Sequence, residues 1–143
     1  MAADIFNVLN LLPLPIWLAM LLFPRTRFTQ RLVVAYWPFI ILGGIYLLLL
    51  IITLALETWP PTSLSFSTLR AALAGDWGFL AGWAHFLTLD LFAGVWIFRD
   101  AKYWGINPGL FLLLTLFFGP LGLGLYLLVR QRKDSSDPVR LLN

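Results

Sequence analysis

Cysteine is absent from the 143 residues, and histidine occurs once, at His85. The first absence excludes disulfides, thiolate nucleophiles, zinc–thiolate sites and cysteine-ligated clusters. The second excludes a multi-histidine metal site or a two-histidine haem site within one chain. No metal and no cofactor is therefore expected. P-loop, dinucleotide and serine-nucleophile signatures are missing as well. Charge is scarce: Asp, Glu, Lys and Arg make up 12% of the chain, about half the share of a soluble domain.

Apolar residues fill the space, at 60% of the chain with a strong excess of Leu, Phe and Trp. A globule of this size has no interior large enough to hold them. They gather instead in four runs, over residues 5–23, 32–56, 78–98 and 108–129. At 1.5 Å per residue each approaches the ~30 Å of a bilayer's hydrocarbon core. The fold class expected is all-α: a four-helix transmembrane bundle, integral and multi-pass, with residues 1–143 forming a single domain. The net charge of +3 does not point to nucleic acid, because the basic residues stand at span ends, where lipid headgroups anchor them.

Proline and glycine punctuate the runs. Pro13 and Pro15 interrupt the first, which lacks a basic leader and reads as retained rather than cleaved. Trp59, Pro60 and Pro61 stop the second. Phe66, Leu69 and Leu73 then recur at helical spacing before Gly75, a C-cap, which predicts a short helix lying in the membrane interface. Asn107 and Pro108 suit the cap and first position of the fourth span. Gly119 to Gly124, "GPLGLG", should kink that span. Residues 130–143 read as a solvated tail. Basic residues tie five to five across the two sides, so they set no orientation.

Two residues of the third span do not belong in lipid. Asp90 and His85 flank its middle, and an aspartate near the bilayer centre costs about 2.5–3.5 kcal/mol. They are expected to face a protein-lined interior. Five residues apart, they differ by roughly 140° around the helix and about 7.5 Å along it, so they reach a common cavity from different edges. A structural reading stands beside this one. Gly78 and Gly82 form a G-x-x-x-G, and His85 with Thr88 then supplies interhelical hydrogen bonds. That face is where a second copy of the chain, or a photosynthetic partner, would dock. Asn7 and Asn10 share a face of the first span, and Tyr46 and Tyr126 offer hydroxyls. Glu57, Arg99 and Asp100 sit at span ends, where headgroup solvation is expected. Trp59, Trp77 and Trp104 fit an interfacial belt; Trp17, Trp37, Trp83 and Trp96 lie deeper and meet lipid or a long apolar ligand.

With "WAHFLTLDLFAGVWIFRDA" in view, the chain resembles the plant abscisic-acid-deficient-four family, also called neoxanthin-synthase-like. The third span carries its most specific motif, W-x-H-x-x-x-x-D-L-F with a later Asp, in Trp83, His85, Asp90, Leu91, Phe92 and Asp100. Weaker matches fall in the same order: Pro15, Met20, Pro24 and Arg25; Pro38, Phe39, Ile40, Leu42, Gly43 and Tyr46; Pro120 and Gly122. Val95 and Trp96 stand where the plant proteins have an arginine, and no transit peptide is seen, which suits a bacterial, cyanobacterial-type member.

The resemblance implies a carotenoid or other apolar pigment as partner, within the lipid bilayer of a thylakoid or plasma membrane. It further implies opening of a xanthophyll 5,6-epoxide to an allene without net redox change. Protonated Asp90 would be the acid at the epoxide oxygen and neutral His85 the base at a neighbouring C–H. Trp83, Phe92, Tyr46 and Asn10 would bind the substrate. Two alternatives stay open: a non-catalytic carotenoid- or chlorophyll-binding or assembly subunit of a photosynthetic complex, and a small transporter with Asp90 as its proton or ion site.

Overall fold

The computed structural model describes residues 1–56 and 65–135. Glu57, Trp59, Pro60, Pro61 and the chain beyond Ser135 lie outside the described residues, and with them the expected stop of the second span and the end of the tail. Among the described residues eight α-helices follow one another: α1 (Ala2–Leu11), α2 (Leu14–Leu22), α3 (Arg27–Leu32), α4 (Trp37–Leu56), α5 (Phe66–Ala74), α6 (Asp76–Trp104), α7 (Gly109–Phe118) and α8 (Pro120–Ser135). No strand occurs among the described residues. The chain is all-helical, as its composition requires.

Each boundary has a local cause. The last α1 bond runs from the Leu12 N–H to the Val8 carbonyl; Pro13 cannot continue the ladder, so α1 ends and α2 begins just beyond it. The Thr29 hydroxyl, fully buried, lies 2.7 Å from the Phe23 carbonyl and 3.2 Å from that of Ala19. It thereby ties α3 to two carbonyls at the end of α2 that already accept the Phe23 and Thr26 N–H groups. Ser65 and Thr68 form a reciprocal capping box that starts α5. Gly75 does close that helix, but in extended geometry (φ −79°, ψ 152°) rather than a left-handed cap.

Among the described residues three helical stretches are long and apolar enough to cross a membrane: Ala2–Leu22 across the proline break, Trp37–Leu56 and Asp76–Trp104. The chain is a membrane protein. Its apolar side chains are heavily exposed along α1, α2, α4, α6, α7 and α8, which lipid tolerates and water does not. The fourth apolar run is two helices rather than one. Gly119 takes φ +48°, open to a residue without a Cβ. Pro120 then has no N–H to give the preceding turn. α7 alone, at 10 residues, is about half a span. Past Val129, the helix does not stop where the sequence suggests a solvated tail. It runs on to Ser135.

The chain divides into two compact units. The first comprises Met1–Leu14 and Ala35–Leu89, and the second Pro15–Val34 and everything from Asp90 on. α6 therefore gives its first half to one unit and its second half to the other. In the first, Leu9 of α1, Leu49 of α4 and Leu80, Ala81 and Ala84 of α6 form the core, flanked by Phe6, Trp77 and Trp83. In the second, Trp17 is 2% exposed and its indole occupies the space that a side chain at Gly94 would need. Trp17 is thus a packing residue.

Candidate functional site

In the first unit, the α6 positions expected to bind a ligand do meet partners. Trp83 donates its indole N–H to the Asn10 Oδ1 at 3.1 Å, and Asn10 donates its own amide to the Phe6 carbonyl at 2.8 Å. The Trp83 ring clusters with those of Phe6 (5.3 Å) and Phe79 (6.1 Å), which are themselves 6.2 Å apart. Asn10 and Trp83 thereby form one aromatic–amide wall, and Asn7 is exposed outside it. Tyr46 of α4 packs its ring 5.7 Å from that of His85, which also meets the edge of Phe86 at 5.9 Å.

His85 itself is exposed, and its imidazole makes no hydrogen bond or ion pair among the described residues. The protein-lined interior expected for it is not where it stands. Nor does Thr88 bond to another helix: its hydroxyl donates to the Ala84 carbonyl of its own helix at 2.7 Å, the usual recourse of a threonine in an apolar medium. Gly78 is buried, and Gly82 admits Leu73 of α5 so closely that an added Cβ would lie 3.1 Å from it.

In the second unit, Asp90 is half-buried and its carboxylate also lacks a hydrogen-bond or ion-pair partner among the described residues. It rests on the backbone at the α7–α8 break. A Cβ at Gly119 would sit 2.7 Å from the Asp90 Oδ1 and 3.2 Å from Oδ2. The glycine therefore serves two ends, admitting the turn and leaving room for the acid. Phe92, two residues on, is 58% exposed, a position suited to lipid or a long apolar ligand.

A second carboxylate, Asp100, is arranged quite differently. The fully buried Tyr126 donates its hydroxyl to Asp100 Oδ2 at 2.6 Å. Arg130 brings Nε to 2.9 Å from the same oxygen, with side-chain exposures of 36% for the arginine and 17% for the aspartate. That N–H does not point along a hydrogen-bond direction, so the contact is one of charge. The guanidinium lies over Trp96 and Trp104, at 5.8 and 5.2 Å from the ring centroids. Lys133 holds the next turn by donating to the Trp104 and Gly105 carbonyls at 2.9 and 3.0 Å. Sequence reasoning places Asp100 among headgroup-solvated span ends and Arg130 in the tail; both belong to a side-chain lock between α6 and α8. A signal was available in the spacing. Trp96, Asp100 and Trp104 recur every four residues, as do Tyr126 and Arg130, so each set lines one helical stripe.

A family model described as "ABA DEFICIENT 4-like" matches residues 4–126. The chain belongs to the ABA4-like family. That range holds Asn10, Tyr46, Trp83, His85, Asp90, Phe92, Asp100 and Tyr126, and stops short of Arg130. One relative is "Protein ABA DEFICIENT 4, chloroplastic" from Arabidopsis thaliana, 26% identical over 133 residues. The match takes in 85% of this chain and 58% of that protein, so the chain spans little more than half the relative's length. No solved structure matches.

Proposed function

We propose that this ABA4-like protein acts in xanthophyll metabolism as a membrane-embedded, non-redox isomerase that opens a 5,6-epoxide to an allene. On this proposal the chain is one multi-pass domain, with α1–α2, α4, α6 and the broken α7–α8 pair each crossing the bilayer of a thylakoid or plasma membrane. Asp90, protonated, gives its proton to the epoxide oxygen as the C–O bond breaks. His85, neutral, takes a proton from a neighbouring carbon, and the electron pair left behind completes the allene. One proton enters and one leaves, so no oxidant or reductant is consumed. Trp83, Phe92, Tyr46 and Asn10 supply aromatic and amide contacts to the polyene and its ring.

A single observation carries the proposal. Among the described residues Asp90 has no polar partner, and it stands in a helix long and apolar enough to cross a membrane. Such a carboxyl costs free energy and offers no packing benefit that an apolar residue would not exceed. Membership of a family with a member named for abscisic acid deficiency supports the carotenoid context. The His85 imidazole, exposed beside Tyr46 and unpaired among the described residues, favours one competing reading, a pigment-binding subunit in which an imidazole nitrogen ligates a chlorophyll magnesium.

The test is expression of the full chain in a bacterium making epoxidised and non-epoxidised xanthophylls, with pigments chromatographed from cells and from the purified protein. The proposal expects a new isomer of unchanged mass, formed only from the epoxide. Pigment bound but unchanged would move the assignment to the binding subunit, and a chain that neither alters nor binds pigment would overturn the carotenoid reading.

A further inference from the structure

The second unit contains a cavity of about 620 Å³ that none of the residues above occupy. It opens where α2 and α6 end and α7 begins, and is lined by Arg25, Gln30, Lys102 and Asn107 together with Phe98 and Ile106 among its apolar members. Its volume lies within the usual range for small-ligand sites, roughly 300–1,000 Å³. No carboxylate lines it. Arg25 is exposed and unpaired among the described residues, while the Lys102 Nζ donates only to the neutral Gln30 Oε1 at 3.2 Å. Gln30 is fixed in turn, donating its amide to the Pro24 carbonyl at 2.8 Å. Two cations thus line one concavity with no carboxylate among the described residues to neutralise them.

The surroundings decide what sign and kind of ligand fits. α2 completes the first candidate span and α6 the third, so the ends that frame the cavity stand at headgroup level if those helices cross. Asn107 is tied to the first turn of α7, its Oδ1 accepting the Gly109 N–H at 3.0 Å. The N-terminus of α7 therefore adds positive potential at the cavity wall. Arginine offers a fork that matches phosphate oxygens and lysine a mobile point charge, while Phe98 and Ile106 suit the first carbons of an acyl–glycerol. We propose that this cavity binds a phosphate group, which a membrane phospholipid's headgroup or free inorganic phosphate would supply. It shares no residue with the isomerase proposal, so each stands or falls alone.

The test is native mass spectrometry of the detergent-solubilised full chain, titrated with phosphatidylglycerol, phosphatidylcholine or inorganic phosphate. One saturable anionic lipid per chain is expected, bound more tightly than phosphatidylcholine. Affinity should fall about tenfold or more in Arg25→Gln/Lys102→Gln, as loss of two interfacial cations predicts, and stay unchanged in Arg27→Gln/Arg31→Gln. Should the double variant fold poorly, Arg25→Gln alone retains the test, because that exposed side chain holds nothing in place. Phosphate that binds by itself and displaces the lipid supports the site with free phosphate as its ligand; lipid that phosphate does not displace supports the headgroup. Undiminished binding in the cavity variants, or an equal loss in the Arg27/Arg31 control, overturns the proposal.

Discussion

Two aspartates stand ten residues apart on the second half of α6, and the protein treats them in opposite ways. Asp100, near the helix end, accepts a tyrosine hydroxyl and faces an arginine that is itself stacked on two tryptophans. Asp90, mid-helix, has no polar partner among the described residues and touches the backbone of a glycine. A carboxylate kept for stability is surrounded by groups that satisfy it. One left unsatisfied at greater cost is the better candidate for chemistry. The same contrast separates the two polar rings of the first unit: Trp83 spends its N–H on Asn10, whereas neither His85 nitrogen is engaged among the described residues.

Substitutions can break or sharpen this comparison. The largest effect is expected from Asp90→Asn. On the isomerase proposal it should lower xanthophyll conversion by a factor of about 10²–10⁴, the usual worth of a general acid. Thermal denaturation in detergent should stay within about 0.5 kcal/mol of the parent, because no partner is lost. Gly119→Ala comes next. Its positive φ and the clash with the Asp90 carboxylate should cost about 1–3 kcal/mol of stability and impair conversion as well, since the acid is pushed aside. Asp100→Asn should behave in the reverse sense to Asp90→Asn. It should lose about 1–3 kcal/mol, below the full cost of breaking a buried pair because Arg130 is partly exposed, while residual conversion per folded molecule is retained. Tyr126→Phe removes one hydrogen bond from the same carboxylate and should cost about 1 kcal/mol in the same denaturation assay, the smallest of the three stability losses, with conversion unchanged.

Much of the architecture is legible in composition because lipid imposes it: runs of about 20 apolar residues have few alternatives to a spanning helix. The prolines at 13 and 15 and the glycine–proline step at 119–120 mark real breaks, since a missing N–H acts wherever it occurs. Tertiary pairings were harder to see. Locally, only its four-residue spacing from Tyr126 sets Arg130 apart from the cations beside it, because its role depends on a helix thirty residues away in sequence presenting Trp96, Asp100 and Trp104 on one stripe. Continuation of α8 beyond Val129 was hidden for a related reason: the span's apolar signal ends there, but no proline or glycine stops the helix before Ser135. His85 misled in the other direction. A lone histidine in an apolar run argues for an interior position, yet Tyr46 and Phe86 give it aromatic neighbours on an exposed face.

The most direct test compares pigment profiles from cells making epoxidised xanthophylls and expressing the parent chain, Asp90→Asn or Asp100→Asn, each normalised to folded protein. The account predicts a new isomer with the parent and with Asp100→Asn, and none with Asp90→Asn despite normal folding. Conversion that persists in Asp90→Asn, or that depends on Asp100 instead, would contradict it.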